Sequence, residues 1–146
     1  MIALIQRVSE ARVLIDDAVV AAIGHGVLAL IGVRRGDDDA AAGQLLERLL
    51  SYRIFPDGDG RMNLSVCDVA GGVLLVPQFT LAADTKKGSR AGFSTAAEPQ
   101  EARRLFAQLL EAARAAYAPV SAGVFGAHMQ VALVNDGPVT FWLETR

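Results

Sequence analysis

Hydrophobic and polar positions alternate with a period of two near the start of the chain. Ile2 and Leu4 are followed by Val13, Ile15 and Val19, with Asp16-Asp17 between them as a turn. Successive side chains of a strand point to opposite faces, so this pattern predicts half-buried strands joined as a meander. From Gly26 to Val33 the run GVLALIGV is apolar throughout. That predicts a strand covered on both faces, at the centre of the sheet. The period then lengthens. Asp37 to Asp39 offer N-capping side chains, and Ala42, Leu45, Leu46, Leu49 and Leu50 fall on one stripe of a helix.

The segment FPDGDGRMN is turn-rich, and after the Gly71-Gly72 break VLLV predicts a buried strand ending at Pro77. A loop from Ala82 to about Ala97 follows. Pro99 suits a first helical turn, where its missing N–H costs nothing, and Ala102, Leu105, Phe106, Leu109, Leu110 and Ala113 continue at helical spacing. VSAGVF, MQVALV and VTFWLE predict three short closing strands, separated at Gly126 and at Asp136-Gly137. The order strands, helix, strands, helix, strands predicts an α+β fold: a mostly antiparallel, curved or barrel-like sheet with two packed helices. A parallel doubly wound sheet fits the pattern less well.

The 146 residues suit one domain spanning 1–146, long enough to bury a sizeable core. A net charge of −2 argues against a protein that coats DNA or other nucleic acid through bulk electrostatics, while leaving local basic contacts open. Cys67 is the one cysteine, which excludes an intrachain disulfide or a cysteine-based zinc site and makes a cytoplasmic location the plain expectation. The apolar run at the N-terminus is too short to span a bilayer, so no membrane partner is expected.

Few residues offer familiar catalytic chemistry. His25 and His128 are isolated, with no nucleophile elbow or zinc-binding histidine pair. Asp57-Gly58-Asp59-Gly60 hints at a calcium loop, but Met62 and Asp68 stand where that loop needs glycine and glutamate, so it reads as a plain turn. No metal or cofactor is expected. Lys86, Lys87 and Arg90 place three cations in five residues, suited to touching phosphate or to a solvated loop. At the end of the VLLV strand, Gln78 and Thr80 are expected to emerge on one side and Phe79 on the other, either furnishing a pocket or forming an ordinary turn. Asn135 to Thr140 places Gly137-Pro138 inside strand-like sequence, and by composition alone this is a hairpin turn.

MIALIQRV at the N-terminus, PQFTLAADTKKGSR in the middle and AHMQVALVNDGPVTFWLE near the end, in that order and spacing, closely resemble the D-aminoacyl-tRNA deacylase family over essentially the whole chain. The resemblance implies a homodimeric hydrolase that binds the 3′ end of aminoacyl-tRNA and cleaves the ester between a D-amino acid, or glycine, and the terminal adenosine. L-aminoacyl-tRNA is spared. In that family the Gly-Pro bond is cis and each subunit's dipeptide reaches into its partner's active site, a role that maps onto Gly137 and Pro138. Rigid backbone carbonyls there could accept from an α-ammonium group while leaving no room for an L side chain. Glycine has no side chain to reject, so glycine mischarged on alanine tRNA becomes an expected second substrate.

The resemblance places catalysis at Gln78, Phe79 and Thr80. With no suitable base in either motif, backbone amides near Phe79 and Thr80 are expected to hold the oxyanion and Gln78 to orient, while a positioned water and the ribose 2′-hydroxyl do the chemistry. Phe125 and Phe79 are candidate platforms for the terminal adenine, and Met129 a shaper of the same pocket. Arg7 would brace the Gly-Pro segment, and Lys86, Lys87 and Arg90 would meet acceptor-stem phosphates. Two departures stand out. Pro77 replaces the family's usual serine and removes its hydroxyl, and Ala91 stands where proline is common. A non-hydrolytic module for the tRNA 3′ end, and a deacylase with a different mischarged substrate, remain the alternatives.

Overall fold

The computed structural model describes residues 1–145. Its organising element is β1, Ile2–Ile15, which pairs antiparallel on both edges. Asp16 and Asp17 both take positive φ, the geometry of a tight hairpin, and return the chain as β2, Ala18–Ile23. After Gly24-His25 the chain resumes as β3, Gly26–Gly32. Ala11↔Ile23 and Val8↔Gly26 keep one register, so β2 and β3 act as two halves of a single long partner to β1.

Helix α1, Asp39–Ser51, starts where the Asp38 side chain accepts from the Ala41 amide at 2.9 Å. The short hairpin β4, Phe55–Pro56, and β5, Met62–Leu64, follows, with its turn fixed by Asp57 accepting from the amides of Asp59 and Arg61. Strand β6, Gly72–Pro77, lies parallel to β3; helix α2, Pro99–Ala116, leads to β7, Val120–Ala122, parallel to β6. Strand β8, Gln130–Glu144, covers the other edge of β1. The fold is α+β, with two helices and a nearly closed, barrel-like sheet.

The sheet departs from a mostly antiparallel pattern along β3, β6 and β7. Parallel neighbours need a long crossover, and α1 and α2 supply one each. The third closing element also differs from expectation: the end of the chain forms β7 and one long β8, because β1 templates β8 on both sides of Gly137-Pro138. Leu45, Leu49, Leu105 and Leu109 bury against Ala3, Ile5, Val27, Ala29, Ile31, Val73, Leu75 and Leu143 on one face of the sheet. Val8, Val13, Leu28, Leu74 and Val76 form a second core inside the curl. No helix among the described residues is long and apolar enough to cross a membrane.

Candidate active site

Strand β6 delivers Pro77 and Gln78 to its C-terminal end, where the chain winds at once into a single 3₁₀ turn, Phe79–Ala82. Strand alternation therefore stops at Pro77, and Phe79 does not point away from Gln78 as the sequence suggested. Pro77, Gln78 and Phe79 all line a cleft of about 410 Å³, with Phe125 and Met129 across it. Gln78 Nε2 donates to Thr80 Oγ1 at 2.5 Å, so those two side chains do meet. Thr80 itself lines an adjoining hollow with Lys86, Arg34, Trp142 and Glu144.

The amide of Gln78 is used by Ile31 O at 2.7 Å, which ties the turn to β3. No side chain caps the turn, and the amides of Phe79 and Thr80 find no acceptor among the described residues, as expected for the first N–H groups of a helical turn. The Phe79 ring is 57% exposed and rests on Phe93, with centroids 5.2 Å apart. Across the cleft, Val124 N donates to Met129 Sδ at 3.4 Å and fixes that thioether. The guanidinium of Arg103 covers one face of Phe125, 4.8 Å from the ring centre. A base could stack on the other face of Phe125 or on Phe79.

Gly137 and Pro138 lie elsewhere. Gln6 pairs with Thr140 and Val8 with Asn135, so the residues Asp136 to Val139 loop out opposite Arg7 alone. The Gly137-Pro138 bond is cis and φ at Gly137 is +150°. A Cβ on Gly137 would lie 2.6 Å from Val139 Cγ2 and 2.8 Å from its amide nitrogen, so only glycine fits. Arg7 holds the base of the bulge: Nε donates to Asp136 O and Nη1 to Ile54 O, both at 2.8 Å. Asn135 closes it, accepting from the Val139 amide at 2.7 Å and donating to Thr140 Oγ1 at 2.9 Å.

Within one chain this bulge is distant from the cleft. In the order β8-β1-β3-β6 it is three strand spacings to the side, roughly 14 Å at the usual separation, and it is level through Arg7 and Val27 with Val73, well before Gln78 along the strand direction. Gly137 and Pro138 are therefore not among the residues lining their own chain's cleft. Lys86, Lys87 and Arg90 also stay outside it, on an exposed loop closed by paired backbone bonds between Asp84 and Gly92 at 2.8 and 2.9 Å. Lys86 reaches the hollow beside Thr80.

The sequence presents His128 as an isolated histidine, Gly126 as a break between strands and Ala102 as a helix position, and all three line the cleft. Helical spacing marks Ala102 only as a core position, and for His128 the one available signal is its place beside Met129 in the AHMQ motif. The resolved acid–base perturbations lie away from it. Hydrogen bonds from Ser65 hold Asp68 below the usual carboxylate range, those of Asn63 and Arg61 do the same for Asp57, and burial pushes Cys67 and Tyr117 up. No group of three or more potential metal ligands occurs among the described residues. A second cleft, of about 320 Å³ between Glu10, Arg12, Ile23 and Leu133, gathers none of the expected site residues. What the main cleft assembles is an aromatic and thioether wall, one amide side chain and two unused backbone N–H groups.

Residues 4–144 match the family model described as D-Tyr-tRNA(Tyr) deacylase. The D-aminoacyl-tRNA deacylase of Thioalkalivibrio sulfidiphilus is 65% identical over 99% of this chain and 97% of its own. That of Alkalilimnicola ehrlichii is 63% identical over 100% of this chain and 97% of its own. A solved structure named c-Myc DNA unwinding element binding protein superposes with a TM-score of 0.96 at 36% identity, covering 100% of this chain and 99% of that one.

Proposed function

The chain belongs to the D-Tyr-tRNA(Tyr) deacylase family and is a D-aminoacyl-tRNA deacylase, a hydrolase; from that premise we propose that it sorts substrates by chirality, with two copies of the chain building each active site. The observation that carries this reading is the Asp136–Val139 bulge. Its Asp136, Gly137 and Pro138 are exposed, and it is held at its base by Arg7 and Asn135 and lies too far from Gln78 to serve its own cleft. A second copy brings Gly137-Pro138 to the Gln78–Thr80 turn of the first, and the exposed Trp142 and Val134 on β8 supply apolar surface for that pairing.

In the assembled site the bulge carbonyls accept from the substrate α-ammonium group, and the rigid backbone beside them excludes an L side chain. Selection is by collision. Glycine, lacking a side chain, passes, so glycine mischarged on alanine tRNA is a second substrate. The free amides of Phe79 and Thr80 take the oxyanion formed when water attacks the ester, a contribution of about 10²–10³ in rate per donor. Gln78, bonded to Thr80, orients the attacking water or the ribose 2′-hydroxyl. The terminal adenine stacks on Phe79 or the open face of Phe125, with Met129 and Pro77 shaping the wall; Lys86, Lys87 and Arg90 meet acceptor-stem phosphates. Such work belongs in the cytoplasm, where tRNA is charged. The DNA-element binding named for the superposed structure is not carried over, since a net charge of −2 does not favour it.

The deciding experiment is hydrolysis of D-Tyr-tRNA, L-Tyr-tRNA and glycyl-tRNA at equal concentrations. D-Tyr and glycyl substrates are expected to turn over and L-Tyr to survive; equal rates on D and L would end the chiral reading. Thr80→Ala is the companion variant, expected to keep activity within about tenfold. Abolished turnover with intact substrate binding would make the threonine hydroxyl, rather than the backbone, the catalytic group.

A further inference from the structure

Two neighbouring arginines on α2 are used differently. Arg104 is saturated by protein: it donates to Glu101 Oε1 and Oε2 at 2.6 and 3.0 Å, to Asp39 Oδ1 at 2.8 Å and to Gln108 Oε1 at 3.2 Å. These bonds pull the Glu101 carboxyl below its usual range and raise the Arg104 guanidinium. Arg103 forms no ion pair among the described residues. The residues three and four positions either side of it are Pro99, Gln100, Phe106 and Ala107, so its own helix offers no carboxylate.

Arg103 is nevertheless held in place. Its guanidinium carbon sits 4.8 Å over the Phe125 ring, within the range of a cation–π contact. Its Nη2 lies 3.3 Å from where a Cβ on Gly126 would be, so the glycine leaves the space that the arginine uses. Gly126 also has φ of +78°, which favours glycine independently. Phe125, Gly126 and Ala102 all line the cleft. An exposed cation, neutralised by no carboxylate among the described residues, is thus fixed at the rim of an apolar, aromatic pocket.

We propose that Arg103 binds the phosphodiester on the 5′ side of the terminal nucleoside of the tRNA substrate, an inference that rests on the deacylase reading and deepens it. The chemistry of the cleft argues for that ligand. An aromatic interior with a single cation at its edge matches a base and ribose carrying one phosphate at one end. A guanidinium stacked on a ring keeps its in-plane N–H donors available, and their fork matches two phosphate oxygens. Stacking on Phe125 restricts the side chain before the ligand arrives, so less freedom is lost on binding. Arg103 is also distinct from the Lys86–Arg90 loop, which lies outside the cleft and would meet phosphates farther along the acceptor stem.

The test compares wild type with Arg103→Gln and Arg103→Lys on two substrates, D-Tyr-tRNA and D-tyrosyl-adenosine, the second lacking any phosphate. On D-Tyr-tRNA, Arg103→Gln is expected to raise KM roughly five- to tenfold with kcat changed less than twofold. The slope of log KM against log salt should fall by about 0.7, the value for one phosphate contact on a single strand. Arg103→Lys keeps the charge and should recover most of the loss. On D-tyrosyl-adenosine the three proteins should be alike. Equal losses on both substrates would assign Arg103 to shaping Phe125 and overturn the proposal, as would an unchanged KM on D-Tyr-tRNA. Binding of an unacylated oligonucleotide with the tRNA acceptor sequence separates the two readings: if wild type hydrolyses neither substrate, the deacylase reading fails. In that case an unchanged oligonucleotide affinity in Arg103→Gln overturns the phosphate contact as well, and a weakened, salt-dependent one supports it.

Discussion

The two faces of the sheet are built from the same strands and meet different fates. Towards the helices, Ala3, Ile5, Ala29, Ile31 and Leu143 are buried under α1 and α2. One residue along, Leu4 and Leu30 are only half-buried, Thr140 is exposed and Trp142 remains 49% exposed. Both sets are largely apolar, so hydrophobicity alone does not separate them. Cover does: two helices close the first face, while the second is closed only where the sheet curls over Val8, Leu28, Leu74 and Val76 and opens toward the hollow beside Thr80 at its Leu4 and Trp142 end. Stability is concentrated on the closed face, and the features proposed to meet substrate or a second copy lie on open ground or at strand ends.

The largest effect that could break this division is on the closed face. Leu105 is fully buried between the helices and the sheet, and Leu105→Ala should cost about 2–5 kcal/mol of unfolding free energy, read from urea denaturation. Deacylation per folded molecule should change less than twofold. A variant that kept its stability and lost its activity would dissolve the distinction between the faces.

Arg7 sharpens the comparison because it belongs to both sides. Its side chain is 12% exposed and ties β1 to Ile54 O near the helical face and to Asp136 O at the bulge. Arg7→Ala leaves two carbonyls without their charged donor and should cost roughly 2 kcal/mol. It should also loosen Gly137-Pro138, so hydrolysis of L-Tyr-tRNA is expected to rise relative to D-Tyr-tRNA. A loss of stability with chiral discrimination intact would mean that the bulge keeps its shape through Asn135 alone.

How much of this was legible in the chain depends on whether the signal was local. Both helices could be read from one stripe of leucines each, and the Asp38 cap and Asp16-Asp17 turn from residues whose side chains act on their own neighbourhood. The unity of β8 could not. Asp136-Gly137-Pro138 looks like the end of a strand in any local window, and only the long β1 opposite shows that pairing resumes at Thr140. Phe79 failed for a related reason: period-two alternation assumes that a strand continues, and the 3₁₀ turn begins one residue beyond Gln78. Gln78, Phe79, Pro77, Phe125 and Met129 line one cleft; the end of the VLLV strand points to Gln78 and Phe79 as a possible pocket, whereas Phe125 and Met129 enter only with the motif resemblance. Arg103 carries no local signal, since it sits beside Arg104 in an ordinary charged helix and is distinguished only by Phe125, a ring from a distant segment.

The smallest effect on stability should come from the open face. Trp142 lies opposite Leu4 across the β1–β8 ladder, and losing one exposed cross-strand pair is worth about 0.2–1 kcal/mol. Trp142→Ser should therefore shift urea unfolding of the isolated protomer by no more than about 1 kcal/mol, which bulk hydrophobicity would not predict for the chain's one tryptophan. If two copies do meet across this face, the same change should act on assembly instead. Sedimentation equilibrium would then show a weaker dimer, with deacylase activity falling at low protein concentration and recovering at high. A large loss of protomer stability with assembly unaffected would place Trp142 with the core, and the division between a closed face for folding and an open face for partnership would have to be redrawn.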